Sequence, residues 1–231
     1  GFTGFFSAHM SNTIKTTGDN SPTLYSSRFQ AHYHSIHGAW TETDVVFIKS
    51  GLEFVAQKNK NLKILEIGFG TGLNCLATIQ YADHHGLHVD YTTLEKFPID
   101  KVVVEDFGAQ LNSIAGIELQ KYNQIHQADW NKTTQLSTNF QLNKLEIDFF
   151  DIPINKKFDL IYFDAFAPET QPELWTVEMF ELMAKVLVKD GVLTTYCAKG
   201  YVKRNLRSAG FIVEALPGPP GKREITRAIK M

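Results

Sequence analysis

Cysteine is scarce: Cys75 and Cys197 are the only two in 231 residues. Two thiols staple no secreted scaffold, and both fall in segments with helix or strand character, so a reduced, cytoplasmic protein is expected. No apolar run approaches the roughly 18–20 residues that cross a bilayer, and no stretch resembles a secretory leader, so no membrane partner is expected. Net charge is only −2, which gives no global electrostatic case for nucleic acid. Metal-ligand spacing is missing too. His32, His34 and His37 crowd one stretch, but no cysteine or carboxylate completes a set, and no bound metal is expected. Repeats and low-complexity tracts are absent.

What is present suffices for one sizeable core, with 43% hydrophobic residues. Residues 1–10, ending at Met10, read as an expression remnant. Residues 11–60 read as an N-terminal extension with a helix, and 61–231 as the main domain. The charge is unevenly spread. Residues 196–231 hold eight Lys and Arg (Lys199, Lys203, Arg204, Arg207, Lys222, Arg223, Arg227 and Lys230) against Glu214 and Glu224. That sector is therefore +6, and residues 1–195 are −8. A basic sector of this kind is either a phosphate-facing patch or a solvated helix face.

The organising stretch is Ile64-Leu-Glu-Ile-Gly-Phe-Gly-Thr-Gly-Leu-Asn74. A buried strand, Ile64 to Ile67, breaks into Gly68-Phe69-Gly70-Thr71-Gly72 and then into a helix from Leu73 to about Ala82. Glycine permits the sharp bend and lets a ligand approach bare backbone. The spacing is neither the dinucleotide fingerprint nor a phosphate loop with its Lys-Ser/Thr. Glu66, just before the turn, suits a cationic ligand, and S-adenosylmethionine carries a sulfonium and an amino group. By itself the turn is also what a tight strand-to-helix connection looks like.

Further elements follow in order. Thr41 is positioned to cap a helix reaching about Gln57, with Val45, Ile48, Leu52 and Val55 on one face. His88–Glu95 alternates as a strand, and an acid at that distance past a glycine turn holds ribose hydroxyls. Pro98 opens a helix to about Leu111, and 117–130 is ambiguous. Leu136–Ile152 reads as an antiparallel arm turning at Asn143, then a strand Leu145–Phe150 ending in Asp151. That carboxylate is the candidate for the adenine amino group, with Asp129, beside Trp130, as the alternative. Phe158–Phe163 is a central strand covered on both faces. It ends in Asp164, which points into the crevice where such sheets bind ligands or simply serves a turn. A helix from Pro172 to about Val188 carries a core stripe of Trp175, Met179, Leu182, Met183 and Val186. Strand Val192–Tyr196, basic helix Gly200–Ser208, strand Phe211–Ala215 and a last strand Ile225–Ile229 complete the chain. The fold class is α/β: a doubly wound, mostly parallel sheet of seven strands with the last inserted antiparallel. That is the Rossmann-like architecture of class I methyltransferases, here with a small N-terminal extension.

Several stretches together resemble one family. Glu66–Asn74 combines with Leu94-Glu-Lys-Phe-Pro98, with Asp164-Ala-Phe-Ala-Pro168 and Gln171-Pro-Glu-Leu-Trp175, with Thr195–Gly200, and with Gly218-Pro-Pro-Gly-Lys-Arg-Glu224. In this order, over roughly residues 23–230, the chain resembles the methyltransferase half of the bifunctional wobble-uridine enzymes of the MnmC family and their stand-alone, MnmD-like relatives. No second glycine fingerprint occurs, so the FAD-dependent oxidase half is not expected in these residues. The resemblance implies S-adenosylmethionine as cofactor and methylation of the 5-aminomethyl group of tRNA wobble (2-thio)uridine. It implies the anticodon stem-loop of tRNA as partner and a separate oxidase or aminomethyl-forming enzyme upstream. It also implies that the turn (Gly68, Phe69, Gly70, Thr71, Gly72) with Glu66 and Asn74 holds the methionine end. Glu95 then binds the ribose, Asp151 the adenine, and Asp164 faces the methyl group as the catalytic carboxylate. Phe166 and Phe163 flank it, the former as a base-stacking ring and the latter as core. Lys199, Lys203, Arg204, Lys222 and Arg223 meet RNA phosphates without reading sequence. Tyr33, His34 and Ser35 close over the cofactor. Two rival functions share these motifs: methyl or aminopropyl transfer to a small free amine, and a non-catalytic cofactor-binding protein that docks RNA.

Overall fold

A computed structural model describes residues 12–231; the reading of residues 1–10 lies outside them. The N-terminal part forms its own three-stranded sheet, β1 (Thr13–Thr16), β2 (Pro22–Ser26) and β3 (Ala31–His32), in the order β1-β2-β3. It leads into α1 (Ala39–Thr43), a π-helical stretch Asp44–Leu52, and α2 (Glu53–Ala56). Thr41 does not cap this helix; Gly38 stands at the N-cap and Thr41 lies one turn inside. The free N–H groups are satisfied from twenty residues back. Ala39 N donates to Thr17 Oγ1 at 3.2 Å and Ser21 Oγ at 3.1 Å, and Thr41 N to Asp19 Oδ2 at 2.9 Å. Side chains serve as the cap, but tertiary ones. The Ser50 hydroxyl donates to Val45 O at 2.7 Å within the widened π turns. They seat Gly51 against the sheet, where a Cβ would lie 3.2 Å from the Thr194 side chain.

The main sheet has eight strands in the order β10-β11-β9-β8-β4-β5-β7-β6. Its members are β4 (Asn61–Ile67), β5 (His88–Glu95), β6 (Lys132–Ser137), β7 (Phe140–Glu146), β8 (Phe158–Phe163), β9 (Leu187–Thr195), β10 (Phe211–Pro217) and β11 (Glu224–Lys230). The expected seven are present, with β11 antiparallel between β9 and β10, and β6 adds an eighth on the far edge. Helices α3 (Leu73–His85), α4 (Lys101–Leu111), α5 (Leu119–Gln127), α6 (Val177–Val186) and α7 (Gly200–Ser208) join the strands. Two apolar clusters cover the two faces. One is built round Phe47, Leu76, Tyr91, Phe107 and Tyr122, the other round Phe163, Trp175, Phe180 and Leu206. Each buried Leu, Ile or Phe there stabilises the fold by about 1.5–3 kcal/mol relative to leaving it in water.

Several local readings need correction or completion. The ambiguous 117–130 segment contains α5. The arm from Leu136 to Ile152 turns between Ser137 and Phe140, not at Asn143, because Asn143 and Lys144 are buried inside β7, which runs parallel to β5. Asp151 consequently ends no strand. It sits exposed in a short 3₁₀ turn, Phe149–Asp151, whose N-cap is Asp148, accepting from Phe150 N at 3.0 Å. The helix expected from Pro172 is likewise split. A 3₁₀ turn, Pro172–Trp175, precedes α6, and the Thr176 hydroxyl caps α6 by accepting from Met179 N at 3.3 Å.

Candidate active site

The carboxyl ends of β4, β5 and β8 are knitted together by backbone. Gly68 N and Phe69 N both donate to Leu94 O, at 3.1 and 3.2 Å, and Asp164 N donates to Ile67 O at 3.0 Å. The turn needs glycine. Gly68 has φ +90°, and a Cβ there would stand 2.8 Å from the Asp164 carbonyl oxygen. Gly70 has φ +50°, and a Cβ would meet the Tyr33 ring at 3.0 Å. Above these strand ends lies a cavity of about 220 Å³. Gly68, Phe69, Gly70, Glu95, Asp164, Phe166 and Lys222, all singled out in the sequence, line it together. So do Tyr33, His34 and Ser35 from the N-terminal segment.

Asp164 is held by a relay. Asn74, in the first turn of α3, donates through Nδ2 to Asp164 Oδ2 at 2.8 Å and accepts from Thr43 Oγ1 at 2.9 Å. Burial pushes the Asp164 carboxyl up to about 7, the Glu42 charge adds to this, and the Asn74 hydrogen bond and Lys222 oppose it. Loop 164–167 is pinned from three sides: Gln171 Oε1 accepts Phe166 N at 3.0 Å, Trp175 Nε1 donates to Phe166 O at 2.9 Å, and Tyr196 OH donates to Ala165 O at 2.9 Å. Phe166 thereby faces Phe29 at 4.5 Å and Tyr33 edge-on at 4.9 Å between ring centroids. Phe163 is fully buried between Trp175 and Phe180, a core residue.

Glu95 faces the same cavity, braced by Gly70 N at 3.2 Å and Phe97 N at 2.8 Å. Burial raises its pKa, and the backbone N–H groups oppose that. His34 spans from Thr23 Oγ1 (3.4 Å) to Thr71 Oγ1 (3.3 Å), fastening the N-terminal segment to the glycine turn. Burial drives its pKa down to about 4, so the ring is neutral.

Other sequence candidates lie elsewhere. Glu66 is fully buried beneath the turn and does not line the cavity. Thr93, Asn74 and Tyr91 are its polar neighbours, yet among the described residues neither carboxylate oxygen meets a donor in hydrogen-bonding geometry. Burial raises its pKa to about 8. Thr71 and Gly72 turn toward His126, and neither they nor Asn74 line the cavity. Neither adenine candidate reaches it. Asp151 is exposed, and Asp129 is exposed and paired with Lys132 at 3.2 Å, while Trp130 lines a second cavity with Lys144 and His126. Lys96, Phe97 and Phe149 line the main cavity beside Glu95 instead.

Half of the basic sector is internally paired. Lys199 pairs with Glu169, Lys203 with Glu224 at 2.7 Å, and Lys222 with Glu42; Arg204 and Arg223 are exposed. Sequence reasoning missed Phe29, Glu42, Phe149, Gln171 and Tyr196 as cavity residues. Tyr196 and Gln171 lay within the quoted family stretches; Glu42 carried no signal, because the helix cap was placed one residue before it.

A family of S-adenosyl-L-methionine-dependent methyltransferases matches residues 113–231. Among curated proteins, the tRNA 5-methylaminomethyl-2-thiouridine biosynthesis bifunctional protein MnmC of Leptospira interrogans is 30% identical over 221 residues, covering 90% of this chain and 34% of that one. The protein of the same name from Pseudoalteromonas atlantica is 30% identical over 243 residues, covering 94% and 34%. The chain thus spans about a third of the length of the curated relatives it matches. Among solved structures, MNMC2 from Aquifex aeolicus superposes with a TM-score of 0.72 at 24% identity, covering 96% of this chain and 71% of that one. Spermidine synthase from Thermotoga maritima follows at 0.59 and 13%, covering 95% and 68%. Both structural likenesses are of fold. On the family match, this chain belongs to the S-adenosyl-L-methionine-dependent methyltransferases.

Proposed function

We propose that the chain methylates the 5-aminomethyl nitrogen of a tRNA wobble (2-thio)uridine, giving 5-methylaminomethyl-(2-thio)uridine. The observation that carries this is the strand-end carboxylate of Asp164, oriented by Asn74 in a cavity shared with Glu95 and the bare backbone at Gly68 and Gly70. Glycines that a Cβ would clash at, beside a carboxylate with a free cavity face, fit a cationic, sugar-bearing cofactor. Gly68 and Gly70 would border its methionine end, Glu95 would take the ribose hydroxyls, and Phe97 and Phe149 the adenine. Bound S-adenosylmethionine supplies an electrophilic methyl on sulfur. The chain's own part is to place the acceptor nitrogen and receive its proton. An alkylammonium titrates near 10, and an ordinary carboxylate near 4 is a poor base for it. At about 7, Asp164 closes roughly half of that gap. Its Oδ2 is occupied by Asn74, which leaves Oδ1 for the acceptor.

Phe166, Phe29 and Tyr33 form an aromatic wall suited to a base taken out of the anticodon stack. Exposed Arg204 and Arg223 would meet phosphates. The names of the MnmC relatives support tRNA as the substrate class. The aminomethyl group would come from a separate enzyme acting upstream, in the cytoplasm. One observation favours transfer to a small free amine instead: Lys199, Lys203 and Lys222 are paired with carboxylates, so the sector presents less unpaired positive charge than its composition suggests. The deciding experiment supplies labelled S-adenosylmethionine and tRNA lacking the wobble methyl group, then identifies nucleosides after digestion. Label in 5-methylaminomethyl-(2-thio)uridine is expected. Unlabelled tRNA with intact cofactor binding would overturn the RNA reading.

A further inference from the structure

Lys222, expected on RNA phosphates, turns inward. It follows the tip of the β10–β11 hairpin, where Gly218 N donates to Arg223 O at 3.2 Å and Lys222 N to Pro219 O at 2.9 Å. From this stiff loop its ammonium reaches the Glu42 carboxylate on α1 and stands 4.2 Å from the centroid of the Tyr196 ring. Glu42 is itself fixed, its second oxygen accepting Ser35 N at 2.7 Å. Glu42, Tyr196, Lys222 and Asp164 all line the main cavity. Asp164 responds to both charges, Glu42 raising its pKa and Lys222 lowering it. The surroundings of the Lys222 Nζ are thus a buried carboxylate and an aromatic face, with a second carboxylate within electrostatic reach. Those are the groups that recognise an alkylammonium ion.

We propose that Glu42 and Tyr196 form the binding pocket for the ammonium group of the acceptor, beside Asp164, and that Lys222 is an internal occupant which the acceptor displaces. This rests on the amine-methylating reading and adds to it where the amine enters and what it competes with. A tethered lysine competes at an effective concentration of millimolar order or above. Free small amines are weakened by that competition. An acceptor carried on a phosphate-bearing chain is not, because it offers the displaced Lys222, whose side chain is 27% exposed, a replacement anion. Lys222 is then a specificity residue that favours amines mounted on a polyanion.

The probe is ethylammonium chloride, titrated by NMR into the full chain saturated with S-adenosylhomocysteine at fixed ionic strength. Lys222→Met is expected to bind it about tenfold tighter than wild type. Adding Glu42→Gln should remove that gain, and ethanol, a neutral isostere, should bind neither protein measurably. In the wild type, saturating ethylammonium should shift the 15N resonance of the Lys222 side chain, a readout that needs no variant. Equal affinity in wild type and Lys222→Met, equal binding of ethanol, or an unmoved Lys222 resonance would each overturn the proposal. The two claims separate cleanly. Displacement of Lys222 with unlabelled tRNA sinks the RNA substrate and keeps the pocket; labelled tRNA without displacement does the reverse.

Discussion

Replacing Asn74 by alanine removes the donor that meets Asp164 Oδ2 at 2.8 Å and leaves the strand end otherwise intact. A hydrogen bond to a charged group contributes about 1.5–3 kcal/mol, and one pKa unit corresponds to 1.36 kcal/mol. Because Asn74 favours the ionised carboxylate, its loss should raise the Asp164 pKa from about 7 by roughly 1–2 units. At pH 7 the wild-type carboxylate is about half ionised, whereas the variant would be ionised to only about 1–10%. Methyl transfer at pH 7 should therefore fall roughly 5- to 50-fold, and the gap should close by about pH 10. The assay is kcat/KM for label transfer from pH 5.5 to 10, with S-adenosylhomocysteine affinity measured separately. An acidic limb displaced upward supports the relay from Thr43 through Asn74. A uniform loss at every pH, with the limb unmoved, would refute it and make Asn74 a cofactor-side residue.

Asp164→Asn should lower turnover by about 10²–10⁴-fold, the usual yield of a positioned base, while S-adenosylhomocysteine still binds; wild-type turnover would remove Asp164 from the chemistry. Gly68→Ala forces a Cβ into φ +90° and to 2.8 Å from the Asp164 carbonyl. It should cost at least about 1–2 kcal/mol in urea unfolding and weaken cofactor binding, and an unchanged midpoint and affinity would contradict the tight turn. Glu66 tests burial alone. Its pKa rises from 4.5 in the unfolded chain to about 8 in the fold, so the folded state holds a proton that the unfolded state lacks between those values. The stability that proton confers is complete below pH 4.5 and lost as pH rises through 8, on the order of several kcal/mol. Glu66→Gln should gain stability relative to wild type across that window in urea melts, and parallel pH profiles would show that the carboxylate is not buried as described.

Strands were legible where an apolar run or a regular alternation ended in an acidic or turn residue. β5 and β8 begin and end where their sequence patterns do, because both faces of those strands are covered. The β6–β7 turn was misplaced for the opposite reason: polar residues stand inside the sheet. Lys144 is buried because its ammonium donates to the carbonyls of Ile125 at 3.0 Å and His126 at 3.4 Å, at the end of α5, and lies 4.9 Å from the Trp130 ring centroid. No local pattern announces a lysine whose partners are a helix terminus and an indole. The same limit governed charge. Counting Lys and Arg in residues 196–231 showed where cations are, but only the fold shows that Lys203, Lys222 and Arg227 are paired.

The strand-end residues of the site, Gly68, Glu95 and Asp164, were readable because one short segment fixes each of them. Its other wall is assembled from a distance. Thr17, Asp19 and Ser21 satisfy the first N–H groups of α1, and that contact decides which way the helix starts. One turn on, Glu42 is delivered to the cavity and Thr43 to Asn74. His34 anchors the intervening loop to Thr71, bringing Tyr33 over Gly70 and Phe29 onto Phe166. Residues 29–43 are thus a wall of the site, although by sequence they belonged to an extension preceding the main domain. An acid on a five-residue helix conveys nothing until the loop that caps it is in place, which is why the acceptor side of this cavity was the part the sequence concealed.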